Sequence, residues 1–129
     1  MKLARWSVGR MPFLMIAAAV FQAPVSSAQT VLTADEVKAT IAGNTAEAQR
    51  PNGSRFLAYY EPGGLWLRWE RGIVTEGKWR VMDNGDQCVT VGKEDSCAQV
   101  QKNGDGTYTR MQNGKPQFNW LKVMPGKGF

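Results

Sequence analysis

Hydrophobic positions along this chain follow two different periods. Between Leu32 and Gly43 they recur at helical spacing, with Ala34, Val37 and Ile41 on one face. Thr33 stands three residues before Glu36, the spacing of a capping box, in which hydroxyl and carboxylate each take an otherwise orphaned backbone N–H. Leu32, just before the cap, is placed to pack on Val37 as a hydrophobic staple. Asp35 and Glu36 lie at the positive end of the helix dipole, and Gly43 is placed to end the helix. So short a helix is not stable alone and must lie on other structure. The following stretch, Asn44 to Ser54, is polar, contains Pro51 and Gly53, and reads as a loop.

From Arg55 onward the period becomes two. Phe56 to Tyr60 reads as a strand, and Glu61-Pro62-Gly63-Gly64 as a turn. Leu65 to Glu70 alternates, with Leu65, Leu67 and Trp69 on one face and Trp66, Arg68 and Glu70 on the other. Arg71-Gly72 breaks the run. Ile73 to Thr75 and Gly77 to Val81 form the next strand, with an interruption near Glu76-Gly77. Gln87 to Val91, Ser96 to Gln101, Thr107 to Gln112 and Gln117 to Val123 follow, separated by Gly- and Asn-containing turns. These are about seven strands with short connections, so sequential neighbours pair antiparallel. The fold class predicted is mainly β: an antiparallel meander forming a small barrel or a strongly bent sheet, with one short N-terminal helix over an open end or face.

The only two cysteines, Cys88 and Cys97, sit in this meander. If Gly92-Lys93 is a two-residue type II′ turn with Gly first, Val91 opposes Glu94, Thr90 opposes Asp95, Val89 opposes Ser96 and Cys88 opposes Cys97. The cysteines then occupy a non-hydrogen-bonded pair, where side chains come closest, and a disulfide across the ladder is expected. A redox-active Cys-x-x-Cys spacing is absent.

Residues 1–28 have the order of a secretory signal peptide. Lys2, Arg5 and Arg10 form a basic leader, Met11 to Phe21 is apolar, and Ser26-Ser27-Ala28 supplies the small residues of a cleavage site. The apolar run is too short for a membrane span, which needs roughly 20 residues. Residues 29–129 then form a single small β domain that does not span a membrane, exported to the periplasm or the medium. Three of the 16 basic residues lie in the leader and none of the 11 acidic ones, which leaves 13 against 11 in the domain. The high pI therefore does not point to a nucleic-acid partner. Two cysteines in an exported chain of this size favour a disulfide over a metal site.

No residue pattern specifies catalysis. The chain has no histidine, which removes Ser-His-Asp and Cys-His arrangements and the commonest metal ligand. Asp83-Asn84-Gly85-Asp86 and Asn103-Gly104-Asp105-Gly106 lack the remaining ligands of a calcium loop and read as turns. No metal and no cofactor are expected. Glu61, Glu70 and Glu76 are the carboxylates from which a hydrolase would draw an acid–base pair. Gly77-Lys78-Trp79 resembles the Gly-x-Trp signature of lipocalin-type barrels, although it lies mid-chain; a core tryptophan beside a strand-bending glycine accounts for it. The candidate binding surface is the aromatic hairpin Arg55 to Glu70, centred on Tyr59, Trp66 and Arg68: either an exposed cluster suited to stacking on a ligand or partner, or structural aromatics lining both sides of a curved sheet with one side facing the helix.

The domain also resembles a family of small exported bacterial proteins known as domain of unknown function number 995. The resemblance is carried by Leu32 to Val37, Gly43-Asn44-Thr45 and Tyr59-Tyr60 before Pro62-Gly63-Gly64, where the family commonly has Asp-Gly. It continues through Gly77 to Val81, Cys88, Cys97, Asn103 to Tyr108 and Val123 to Gly126. It implies export and a small β-rich domain, and transfers no activity. The functional expectation is a non-catalytic binding or interaction module of the cell envelope, its partner an envelope protein or a small ligand. The alternatives are an inhibitor of a secreted enzyme and, behind it, a carboxylate-based hydrolase. N-terminal sequencing of exported material should find Gln29 first; a retained leader on membrane-bound protein would contradict the assignment.

Overall fold

The computed structural model describes residues 29–129; the expected leader lies outside them. A two-residue strand, β1 (Thr30–Val31), precedes the helix α1 (Ala34–Ile41). Then come β2 (Asn44–Gln49), β3 (Arg55–Tyr60), β4 (Leu65–Glu70), β5 (Ile73–Val81), β6 (Gln87–Val91), β7 (Glu94–Lys102), β8 (Tyr108–Gln112) and β9 (Lys115–Pro125). Strands β2 to β9 pair antiparallel with their sequence neighbours, and β9 returns to β2, closing an eight-stranded barrel; β1 adds to β7. Among the described residues no helix is long and apolar enough to cross a membrane.

The alternation that predicts strands also sets the barrel interior. Paired positions Phe56, Ala58 and Tyr60 on β3 carry the inward parity to Trp66 and Arg68 on β4, and on to Gly77 and Trp79 on β5. From there it passes to Val89 and Gln87 on β6, and to Ser96 and Ala98 on β7. Trp79, Tyr60 and Trp120 pack edge-on in the lower interior, with Tyr60 5.6 Å from Trp79 and 5.8 Å from Trp120 between ring centroids. Val37 and Ile41 of α1 are fully buried in the same cluster.

The helix closes one end. Thr33 accepts from the Glu36 N–H at 3.3 Å and Glu36 accepts from the Thr33 N–H at 2.9 Å, so the capping box forms as predicted. The β5–β6 turn packs beneath the helix entry: a Cβ added at Gly85 would lie 2.7 Å from the Leu32 carbonyl oxygen. Trp79 Nε1 donates to the Glu61 carbonyl at 2.8 Å, which ties the β3–β4 turn over the same end. The opposite end carries the β2–β3, β4–β5, β6–β7 and β8–β9 turns and, among the described residues, has no helix over it.

Three sequence expectations need correction. The barrel has eight strands rather than about seven, because Asn44–Gln49 is a strand and not a loop. Its inward residues, Ala46 and Ala48, are small and of low β propensity, yet both are buried where β3 and β9 flank them. β5 is continuous through Gly77 and not interrupted. The glycine is required by close packing: a Cβ there would meet the Thr90 carbonyl oxygen at 2.5 Å and Trp66 Cε3 at 3.2 Å. β7 and β9 are also longer than the alternation indicates.

The disulfide follows the predicted register. Cys88 opposes Cys97 and the two are bonded, with Cα atoms 4.0 Å apart. Gly92 has φ +60° while Lys93 does not enter the left-handed region, as a type II′ turn requires. Closing a loop of this length contributes about 2.5–3 kcal/mol on the chain-entropy model. Outside the barrel, Arg80 clamps Asp95 through both guanidinium ends at 3.0 and 2.9 Å, and Thr90 donates to Asp95 at 2.7 Å. The Arg80 guanidinium and the Thr90 hydroxyl hold the Asp95 carboxyl down to about 2.

Gly77→Ala should lower the unfolding free energy by about 1–3 kcal/mol, since a methyl must displace strand backbone rather than a flexible side chain. Urea denaturation followed by tryptophan fluorescence measures this; an unchanged midpoint would show that β5 and β6 separate without cost.

Candidate functional site

The barrel interior is not filled to its open end. A cavity of about 260 Å³ lies between the aromatic floor and the turns of that end. Its floor and one wall are Tyr60, Trp66, Phe56 and Phe118; Val89 and Val91 of β6 face them. Eight-stranded barrels are wide enough to fill with side chains or to hold one small ligand; this one is filled in its lower half and leaves volume open in the other.

Three arginines line the cavity, and each lies over an aromatic ring that lines it too. The Arg50 guanidinium is 4.5 Å from the Phe56 centroid, Arg110 is 5.6 Å from Phe118 and Arg68 is 5.7 Å from Trp66. Such cation–π pairs hold both the charge and the ring orientation, with Arg110 buried and Arg50 and Arg68 partly open to solvent. Pairing of the three with carboxylates is unequal. Arg50 forms a two-pronged bridge to Glu70, at 2.7 and 3.0 Å. That bridge holds the Glu70 carboxyl below its ordinary value. Arg68 reaches the same carboxylate only at 4.0 Å and donates to the Thr75 hydroxyl at 3.3 Å.

Arg110 is 2 % exposed, and no carboxylate lies within ion-pair distance of it among the described residues. All five of its N–H groups meet neutral acceptors. Nε donates to Gln87 Oε1 at 2.7 Å, and Nη1 to Ser96 Oγ at 3.3 Å and to Gln117 Oε1. Nη2 donates to the Gln87 and Ser96 carbonyl oxygens, both at 2.8 Å. Burial lowers the Arg110 pKa from its ordinary value, but a guanidinium starts so high that it stays charged at neutral pH. The Tyr60 phenol is pushed up by its burial, partly offset by the Trp66 and Trp120 indoles and the Arg110 charge. Those indole N–H groups approach the phenol without completing a hydrogen bond of normal geometry.

The structure separates the residues expected to form an exposed cluster. Trp66 is 6 % exposed and faces the cavity, and Arg68 is cross-strand to Ala58 on the same inner face. Tyr59 pairs with Leu67 on the outer face, so it does not join them. Outside, the tip of the β4–β5 hairpin leaves Trp69, Ile73 and Val74 exposed, with Ile73 at 68 %. The three glutamates do not converge either. Glu61 belongs to the closed-end turn, Glu70 is held by Arg50 near the open end, and Glu76 lies outward opposite Leu67. Among the described residues no group of three or more His, Cys, Asp and Glu side chains is disposed to hold a metal ion.

Arg50, Arg110, Phe118 and the β6 valines were not selected from sequence. Period-two alternation puts Tyr108, Arg110 and Gln112 on one face, but gives no reason to turn an arginine inward. The geometry defines the class: a closed antiparallel barrel, capped at one end by a helix, with an arginine- and aromatic-lined cavity toward the other. Comparison of the chain with family models, with curated proteins and with solved structures finds no match.

Arg110→Met should remove about 3–5 kcal/mol of stability, because it strands buried acceptors on Gln87, Ser96 and Gln117. Denaturation of the oxidised protein measures it, and a loss under 1 kcal/mol would mean that the interior network is dispensable.

Proposed function

We propose that this protein is an exported, non-catalytic binding module whose barrel takes a small, largely apolar ligand. The observation that carries the reading is the cavity itself, about 260 Å³ with aromatic and valine walls and a few polar groups in fixed positions. That is the general make-up of a preformed small-molecule site, with a volume just below the usual range of roughly 300–1,000 Å³. The cation–π pairs and the Arg110 network fix the walls in advance, so little ordering cost falls on binding. The disulfide fits an oxidising compartment, and the leader supports the periplasm or the medium as that compartment.

A second reading, binding to an envelope protein or inhibition of a secreted enzyme, draws support from the exposed Trp69, Ile73 and Val74 at the hairpin tip. It is placed second because those residues form a small patch, whereas the cavity is enclosed by several strands. The resemblance to domain of unknown function number 995 is compatible with either reading.

The neutral dye N-phenyl-1-naphthylamine should brighten on addition to the wild-type domain. Val91→Trp, which fills the cavity from β6, should weaken dye binding at least tenfold while the fold is retained by circular dichroism. Undiminished binding by the filled variant, or no binding by the wild type, would remove the cavity from consideration and leave the hairpin tip.

A further inference from the structure

We infer that the cavity selects an apolar acid: a short aliphatic or aromatic body carrying one carboxylate-like anionic group, held beside Arg68 and Trp66. This rests on the cavity being the binding site. Two independent features of the walls carry it.

The first is the sense of the unmet hydrogen bonds. Trp66 Nε1 and Arg68 Nε are buried and make no hydrogen bond among the described residues, the indole N–H lying against the Tyr60 phenol and the Arg68 Nε 4.0 Å from Glu70, and both residues line the cavity. Deeper in the same interior, Gln87 Nε2 and Trp120 Nε1 are also unpartnered. All four are donors, and no inward-facing acceptor is left over among the described residues. A buried donor without a partner is unfavourable, so a ligand that brings an acceptor within its reach recovers stabilisation that a hydrocarbon does not.

The second is charge. Arg50, Arg68 and Arg110 present three cations to the cavity. Glu70 is committed to Arg50 through both oxygens and only grazes Arg68, while Arg110 has neutral partners alone. The one carboxylate in the lining, Glu94, is exposed at the β6–β7 turn. The inner walls therefore hold more positive than negative charge in surroundings of reduced dielectric, where an added anion gains more than in water. Arg110 has no donor to spare, so it contributes field and not contact. Arg68 Nε faces Glu70 at 4.0 Å without a hydrogen bond, and 34 % of the side chain stays in solvent, which leaves the guanidinium within reach of a group entering from the open end. The volume admits a single short chain or a ring system and not a two-chain lipid.

The test compares decanoate, methyl decanoate and decylammonium, all at monomeric concentrations, as displacers of N-phenyl-1-naphthylamine from the wild-type domain. Decanoate should displace at least tenfold better than the ester, and decylammonium worst of the three. In Arg68→Gln the acid-to-ester ratio, taken within the variant so that any change in dye affinity cancels, should fall to about two, and Arg68→Lys should recover part of the ratio. Repeating the series with 2-naphthoate and its methyl ester decides between chain and ring. Equal displacement by acid and ester, or a ratio unaffected by Arg68→Gln, would overturn the anionic assignment while leaving the cavity as a binding site. Failure of the wild type to bind the dye or either acid would overturn both.

Discussion

One buried guanidinium braces the barrel from inside at the short seam between β7 and β8. β8 pairs with β7 only from Gln99 to Lys102, and Arg110 stands on β8 within that short seam. From there it reaches Gln87 on β6, Ser96 on β7 and Gln117 on β9, so a single side chain joins four strands from inside. A buried cation would be very unfavourable if unsatisfied; here five oriented neutral acceptors replace its hydration. Because the charge is solvated without an anion, it remains available as field to the adjoining cavity. The aromatic floor below and the disulfide on β6 and β7 set the strand positions that make this cage possible.

The two ends of the barrel do different work. At the closed end, local chemistry dominates: a capping box, a tryptophan hydrogen-bonded to a turn carbonyl, and a glycine turn pressed on the helix entry. These seal the aromatic core. At the open end inward positions become charged or polar, and volume is left unfilled. Rigidity in one half permits vacancy in the other, since the lower packing carries most of the fully buried side chains.

What sequence could reveal divides along the same line. Elements governed by short-range rules were legible. Thr33 and Glu36 announce their cap, and the Gly92-Lys93 turn fixes the pairing of Cys88 with Cys97 by counting alone. Elements governed by distant neighbours were not. Ala46 and Ala48 look unlike strand residues until β3 and β9 enclose them. Trp66 and Arg68 were correctly set opposite Leu65 and Trp69, but alternation cannot say which of two aromatic faces is inside a closed sheet. Closure decided it, and turned an expected surface into a cavity wall. Arg110 was hidden for a related reason: its five acceptors come from three other strands that only tertiary structure assembles.

The short β7–β8 seam has one further consequence. Above it, Glu94 to Ala98 pair with β6 but have no strand on their other side. A bare strand edge is a template on which another chain can add. Here the Ser96 and Cys97 carbonyl oxygens accept from the Arg110 and Gln112 side chains, at 2.8 and 3.5 Å. Glu94 and Asp95 add charge at the outer end of the same segment. The side chains thus occupy the edge in place of a neighbouring strand, and the groups that shape the cavity also keep one barrel from stitching itself to the next.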